Sequence, residues 1–311
     1  MSVRIRTPSR IHITLIDMNG SLGRIDGGVG LALSTPFVEI VAEEDEDVIV
    51  EGDCLNRERF ERVAKALAER FNRGIRVKVL SDYRAHVGLG SGTQISLAVA
   101  KAFDVVYDLG LSIRELATIV GRGGTSGIGI AAFEFGGFIV DGGHSKREKS
   151  EFLPSSASKA KPAPVISRLD FPDWKIVLAI PDLTGFHSKG EIDLFRKVCP
   201  ISLEDVREIC HLVLMKMLPA IVEEDLDDFI FAVSRIQRLG FKRAEIDMYG
   251  DLIWNALEIA LGMSSTGPCV YAVTDTNTRE IERDLRRYFE ERGLKCETMV
   301  TKARNEGASI N

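Results

Sequence analysis

A glycine- and hydroxyl-rich stretch at residues 86–97 runs directly into an apolar-periodic segment, and its chemistry suits phosphate. Three glycines within five residues, Gly88, Gly90 and Gly92, allow positive φ angles and a close approach of the backbone to a ligand. A helix that begins here adds unpaired N–H groups and its positive dipole end. The spacing matches neither a P-loop nor a dinucleotide fingerprint, and the alternative is an ordinary glycine-rich turn before a capped helix. We predict that this loop binds phosphate. The residues assigned to it are Gly88, Leu89, Gly90, Ser91, Gly92, Thr93 and Gln94.

Four further segments carry polar groups or glycines that extend this hypothesis. They are a strand-like alternation at residues 8–17, glycine runs at residues 23–30 and 121–129, and a loop at residues 262–270. Arg10 lies in the first segment and Arg24 in the second. Arginine binds phosphate or carboxylate oxygens through paired hydrogen bonds, so both are candidate anion clamps, although either can instead form a structural ion pair.

The order of these segments resembles the GHMP kinase superfamily, which includes galactokinase, homoserine kinase and mevalonate kinase. Members carry a central Gly-Leu-Gly-Ser-Ser phosphate loop between an N-terminal strand motif and a C-terminal glycine motif. Two departures argue against a kinase. Gly129 follows Ser126-Gly127-Ile128, where the kinases commonly place an aspartate that acts as the base. Gln94 also places a bulky amide at the start of the helix after the phosphate loop.

At a finer level, four strings resemble the β-ribofuranosylaminobenzene 5′-phosphate synthases, the archaeal methanopterin branch of this superfamily. The strings lie at residues 10–19, 27–33, 124–129 and 136–144, and the resemblance spans about residues 4 to 305. It implies condensation of 4-aminobenzoate, or in some relatives 4-hydroxybenzoate, with phosphoribosyl pyrophosphate, releasing carbon dioxide and pyrophosphate. Loss of the arene carboxylate restores aromaticity after the ring carbon attacks. A strong general base is therefore not obligatory, in accord with Gly129.

The resemblance also implies a set of site residues and a metal. Mg²⁺ would neutralise the pyrophosphate, and Asp17, Asp26 and Asp141 are the candidate carboxylates, of which the first two are assigned to the metal. The predicted catalytic residues are Arg10, His12, Asp17 and Asp141. The predicted substrate-binding residues are Arg24, Asp26, Gly27, Gly28, Thr125, Ser126, His144 and His187. For the histidines the alternative is ordinary exposure, and His12 alternates with two isoleucines, which predicts a side chain opposite the core face.

Composition and charge limit the class of protein. The chain has 311 residues, of which 45% are hydrophobic and 28% are charged, as expected for a globular enzyme. A net charge of −6 argues against a nucleic-acid surface. Five scattered cysteines without a Cys-x-x-Cys pair predict neither a disulfide framework nor a zinc site. The sequence shows no apolar signal core and no run of membrane-spanning length, so we expect a cytoplasmic protein, as a homodimer.

Periodicity predicts an α+β fold with a GHMP-kinase-like arrangement of two domains and the ligand site in the crevice between them. The N-terminal domain is placed at residues 1–150 and the C-terminal domain at 168–311. Residues 146–167 are rich in proline, serine and lysine and are predicted to be a linker or a lid. Two alternatives stay open: a GHMP-type kinase that uses ATP and Mg²⁺, and a non-catalytic sensor of a phosphometabolite.

Overall fold

A computed structural model describes residues 2–155, 157–183, 185 and 189–311. Its strands are β1 (Ser2–Arg6), β2 (Ser9–Asp17), β3 (Arg24–Leu33), β4 (Glu39–Glu43), β5 (Val48–Glu51), β6 (Ile75–Ser81), β7 (Phe138–Asp141), β8 (His144–Ser145), β9 (Val165–Leu169), β10 (Lys175–Pro181), β11 (Gly262–Met263), β12 (Val270–Thr274), β13 (Cys296–Lys302) and β14 (Ser309–Ile310). Its helices are α1 (Arg57–Phe71), α2 (Ser91–Val106), α3 (Ile113–Ile119), α4 (Ile128–Glu134), α5 (Lys189–Val198), α6 (Leu203–Leu212), α7 (Leu218–Glu223), α8 (Leu226–Ile236), α9 (Gly240–Asp247), α10 (Asp251–Ala256) and α11 (Thr278–Glu290), with a π-helical turn at Val213–Met217.

The strands form three sheets. The first has the order β14-β1-β4-β6-β5 and the second β2-β3-β7-β9, with β8 paired to β3. The third has the order β11-β12-β10-β13. Helix α2 packs on β1 and β4, α4 packs on β2 and β3, and α11 packs on β10 and β13. The predicted α+β class is confirmed.

Helices α1 and α3 illustrate how local sequence sets the element bounds. In α1 the buried positions Phe60, Val63 and Leu67 recur at three- and four-residue spacing, which is the pattern of an amphipathic helix. The helix ends at Asn72 in the left-handed conformation, two residues before Gly74. In α3 the Ser112 hydroxyl accepts the Glu115 N–H, and the Glu115 carboxylate accepts the Ser112 N–H in return, which is a complete capping box.

Strand β3 contains most of the glycine run at residues 23–30, which was not predicted to be a strand. Gly28 and Gly30 lie inside this strand, beneath α4 and the turn before it. A Cβ at Gly28 would come within 2.7 Å of both the Ser126 hydroxyl and an Asp141 carboxylate oxygen, and a Cβ at Gly30 would strike Ile128. These glycines therefore bring a second layer close to the sheet, which is a recognised use of glycine within a strand.

Strand β2 is buried on both faces, because α4, α6 and α9 all pack against it. The alternation of His12 with two isoleucines predicted that its side chain lies opposite the core face. This prediction was wrong: His12 is buried, and so are Ile11, Ile13 and Thr14. A register shift between His12 and Thr14 in the pairing of β2 with β3 breaks the simple alternation.

The remainder of the chain completes the frame. Strand β9 begins at Val165, inside the segment predicted to be a linker or lid, and pairs with β7. One hydrophobic cluster includes residues from Val3 to Val273. The proposed domain boundaries stay a prediction. In the described part of the chain, no helix has both the length and the apolar character needed to cross a bilayer.

Candidate active site

The glycine loop before α2 is held in place from several directions. The Leu89 carbonyl accepts the Arg10 N–H and the Tyr83 hydroxyl, each at 3.1 Å. The Ser264 hydroxyl donates to the Gly88 carbonyl at 2.7 Å. Gly88 and Gly90 have φ angles of 93° and 80°, which strain any other residue. The loop therefore presents the start of α2 as a fixed backbone surface, suited to an anion.

A cavity of about 600 Å³ opens in front of this loop. This volume is within the usual range for small-molecule sites, roughly 300–1,000 Å³. Its wall comes from β2, α1, the glycine loop, the glycine segment before α4, and the C-terminal segments around residues 191–195, 241–245 and 265–267. The N-terminal and C-terminal halves of the chain both contribute, as the sequence predicted for a crevice between them.

The structure brings many of the predicted site residues to this wall. They are Arg10, His12, Gly88, Gly90, Ser91, Gly92, Thr93, Thr125 and Ser126. Gly129, where the resemblance places the base of the kinases, also lies in the wall. This is a finding about geometry, and the roles of these residues stay predictions.

One side of the cavity is basic. Arg59 and Arg62, three residues apart on α1, line it together with Arg122 from the loop after α3. Arg59 lies directly over Gly92, where a Cβ would collide with its guanidinium. Burial, followed by the charges of Arg59 and Arg62, lowers the pKa of Arg122 to about 10. Sequence reasoning missed these three arginines. Arg59 and Arg62 are indistinguishable from the solvated polar face of an amphipathic helix. Arg122 lies within the glycine run at residues 121–129, where its position next to Gly121 and Gly123 was the available signal.

Another part of the wall is apolar. Leu15, Phe195 and Phe241 line it, and the two phenylalanine rings have centroids 4.5 Å apart. These three side chains belong to one hydrophobic cluster beneath the cavity. Glu191 and Glu245 stand near them in the wall. Glu245 is paired with the buried Lys242 at 2.5 Å, so this carboxylate is already compensated.

A buried chain of polar groups leads away from His12. Its Nε2 lies 3.2 Å from the Ser126 hydroxyl, which donates to Asp141 at 3.2 Å. Asp141 also accepts the N–H groups of Gly127 and Gly143. Burial holds the pKa of His12 well below its usual range, and the charges of Arg10 and Lys242 lower it further, so His12 is neutral near pH 7. Burial raises the pKa of Asp141 to about 6, against the effect of its hydrogen bonds.

Asp26 and His144 lie outside the cavity wall, in an ion-pair cluster. Asp26 accepts from His144 Nδ1 at 2.6 Å and from Lys149 Nζ at 2.9 Å, with all three side chains buried. Burial alone would lower the pKa of His144, but the hydrogen bond and charge of Asp26 outweigh it and raise that pKa. Lys149 also donates to Thr125 and to the Leu153 carbonyl. The cluster therefore fixes the segment after β8, which contributes Pro154 and Ser155 to the cavity wall.

Several other predicted site residues form structural hydrogen bonds. The Arg24 guanidinium donates to the carbonyls of Gly142 and Gly143, and Asp17 accepts the N–H groups of Asn19 and Gly20. Gln94 is fully buried and its amide donates to the Gly129 carbonyl at 2.8 Å, so it joins α2 to α4. Leu89 is buried beneath the loop. Asp141, Gly27 and Gly28 lie behind the wall, and His187 falls outside the described residues.

The expected magnesium ligands do not fit a metal in this arrangement. The carboxylate of Asp26 is paired with the Lys149 ammonium group and the His144 imidazole. The carboxylate of Asp17 caps a turn. Within the described ranges, no cluster of three or more histidine, cysteine, aspartate or glutamate side chains is suited to a metal ion. We therefore assign no step to Mg²⁺ at these residues.

Comparison with known proteins first defines the class. A family model described as GHMP kinases N terminal domain matches residues 58–137. The crystal structure of homoserine kinase from Cytophaga hutchinsonii aligns with a TM-score of 0.68, covering 100% of this chain and 97% of that chain at 15% sequence identity. At that identity the likeness shows the fold alone, which is the α+β fold of the GHMP kinases, as predicted.

Two curated relatives define the family more narrowly. Beta-ribofuranosylphenol 5′-phosphate synthase of Archaeoglobus fulgidus is 64% identical over 310 residues, covering 99% of this chain and 99% of the relative. The protein of the same name from Methanocaldococcus jannaschii is 45% identical over 328 residues, covering 98% and 99%. The chain belongs to the β-ribofuranosylphenol 5′-phosphate synthase family. The predicted resemblance and the predicted class, a pentosyltransferase on a GHMP scaffold, are confirmed.

Proposed function

We propose that the cavity joins 4-hydroxybenzoate to phosphoribosyl pyrophosphate, forming a β-ribofuranosylphenol 5′-phosphate with release of carbon dioxide and pyrophosphate, an early step of methanopterin biosynthesis. The observation that carries the proposal is the division of one cavity wall. A phosphate loop and arginines line one part, and Leu15, Phe195 and Phe241 line another. Such a wall suits a phosphorylated sugar together with an aromatic ring.

The reaction balances without a strong base. The ring carbon that bears the carboxylate forms a bond to C1′ of the ribose as the C1′–O bond to pyrophosphate breaks, and the bonding electrons leave with pyrophosphate. The bond between ring and carboxylate then breaks, carbon dioxide departs, and its electron pair restores the aromatic ring. The para hydroxyl donates electron density and keeps its proton in the product. The protein's tasks are to position both substrates and to stabilise the leaving charge.

The choice of hydroxybenzoate over aminobenzoate follows the names of the relatives, whose product is a phenol. The sequence alone left both arenes open. The neutral His12 at the wall is compatible with an uncharged para substituent, whether hydroxyl or amine. The relative rates with the two arenes therefore test this part of the proposal separately.

Against the kinase alternative, the position where the resemblance places the kinase base is a glycine in this chain. Gly129 occupies the wall beside Thr93, and a Cβ there would meet Thr93 Cγ2 at 3.2 Å. The sensor alternative predicts binding without turnover. Both alternatives are distinguishable by products.

The test supplies purified protein and Mg²⁺ with three combinations: 4-hydroxybenzoate with phosphoribosyl pyrophosphate, 4-aminobenzoate with phosphoribosyl pyrophosphate, and 4-hydroxybenzoate with ATP. Mass spectrometry of the products is expected to show a decarboxylated ribosyl phenol phosphate in the first mixture, at a higher rate than the amine product in the second. A phosphorylated arene or ADP in the third mixture, with no ribosylated product in the first, would favour the kinase. Binding without any product would favour the sensor.

A further inference from the structure

Three arginines form an array on the side of the phosphate loop that faces α1. Arg59 and Arg62 lie on one face of α1, since residues three apart are neighbours on a helix. Arg122 approaches from the loop after α3, and its Nε lies 3.3 Å from the Ser96 hydroxyl. That hydroxyl in turn donates to the Gly92 carbonyl at 2.8 Å. The array is therefore braced against the first turn of α2.

Among the described residues, no carboxylate is paired with this array. In the part of the chain that the structure describes, no aspartate or glutamate forms an ion pair with any of its three guanidinium groups. Burial and then Arg62 lower the pKa of Arg59, and burial followed by its two neighbours lowers that of Arg122. Like charges held together in a partly buried wall are costly unless an anion neutralises them.

Arg10, against the other side of the loop, differs in its surroundings. It lies beside Gly90, where a Cβ would come within 3.1 Å of its side chain. Burial lowers the pKa of Arg10, but Tyr83, Glu245 and Glu191 act in the opposite direction. The positive charge of Arg10 is thus offset by Glu245 and Glu191. The charge of the array is not offset in this way.

We propose that Arg59, Arg62 and Arg122, together with the first turn of α2 at Gly92, bind the pyrophosphate group of the donor. Arg10 then faces the ribose 5-phosphate portion. The assignment rests on the proposed function for the identity of the donor. Pyrophosphate carries the larger negative charge, and its charge grows as the bond to C1′ breaks. The uncompensated array therefore stands where the charge develops, which is where fixed cations accelerate a reaction most.

The test compares two probes, inorganic pyrophosphate and ribose 5-phosphate, by calorimetry on the whole protein. Arg122→Gln and Arg59→Gln are expected to weaken pyrophosphate binding by about 10- to 100-fold, because each removes a charged hydrogen-bond donor. Binding of ribose 5-phosphate is expected to change by less than about threefold. Arg70→Gln is the matched control, since Arg70 is an exposed arginine on the same helix and does not line the cavity.

The outcomes separate this inference from the proposed function. An equal or larger loss of ribose 5-phosphate binding, or the same loss of pyrophosphate binding in Arg70→Gln, would overturn the assignment even in an active enzyme. Pyrophosphate binding that depends on the array in a protein without decarboxylating activity would instead reject the proposed function and leave the pyrophosphate site in place. Each variant removes a repelling charge, so thermal melting at or above the wild-type temperature is expected. If Arg122→Gln does not fold, Arg59→Gln and Arg62→Gln give the same readout.

Discussion

Gly129 stands at the position where the sequence resemblance places the catalytic aspartate of the kinases. Its position in the wall beside Thr93 follows from the first turn of α4, and it does not have a positive φ, so an aspartate there meets no backbone strain. The nearest obstacle is the Thr93 methyl group, which lies 3.2 Å from the position that a Cβ would take. A carboxylate at this position would therefore act mainly through its charge.

Gly129→Asp is expected to raise the KM for phosphoribosyl pyrophosphate by at least about tenfold without increasing kcat. Unit charges ~4 Å apart at an effective dielectric near 20 interact by roughly 4 kcal/mol, and a third of that is about tenfold. Gly129→Ala is the matched control, because it adds the Cβ without the charge. Steady-state kinetics on both folded variants gives the comparison. An unchanged KM in Gly129→Asp would place position 129 away from the phosphates.

Among single residues, the sequence predicted site residues that lie within local motifs and missed interactions between residues far apart in the chain. Arg10, His12, Ser126 and most of the glycine loop lie within compact motifs and reach the cavity wall. Asp26 and His144 were expected to contact substrate. Instead, Asp26 is paired with Lys149, which lies 123 residues further along the chain. Such a pairing leaves no periodic signal in one sequence.

Among the elements, the segment between β8 and β9 has the clearest link between packing and site. Lys149 is buried and joins Asp26, Thr125 and the Leu153 carbonyl, directly before the cavity residues Pro154 and Ser155. The sequence predicted a linker or lid here because no periodicity is visible. The anchoring comes from one charged side chain, which composition cannot distinguish from a solvated lysine.

Lys149→Met is expected to lower the free energy of unfolding by about 3 kcal/mol or more, because it leaves Asp26 in a buried site with one partner fewer. It should also increase hydrogen exchange in residues 146–155. Lys146→Met, at an exposed position in the same segment, is the control. Urea unfolding and exchange mass spectrometry measure the two effects. Equal behaviour of the two variants would show that Lys149 does not anchor the segment.

Strand β3 shows the same limit for a whole element. The sequence identified residues 23–30 only as a glycine run, yet Arg24–Leu33 form a strand of ten residues, because the missing side chains admit α4 and Asp141. Helix α2 begins at Ser91, within the glycine loop from which the sequence predicted a helix. Prediction therefore succeeded where a local motif marks the start of an element and failed where two layers meet.

At the scale of the whole molecule, residues from both halves of the chain form the cavity. Its wall runs from Arg10 on β2 to Gly267 before β12, so no contiguous part of the chain contains it. The GHMP-kinase-like fold places the glycine loop, the arginine array and Gly129 around one cavity. This arrangement supports the proposed ribosyl transfer.

The stoichiometry of released products tests this account most directly. Protein is incubated with carboxyl-labelled 4-hydroxybenzoate and phosphoribosyl pyrophosphate, and carbon dioxide and pyrophosphate are counted in the same reaction. The account predicts equal amounts of the two, formed only when both substrates are present. Release of pyrophosphate without carbon dioxide, or of carbon dioxide without phosphoribosyl pyrophosphate, would contradict it.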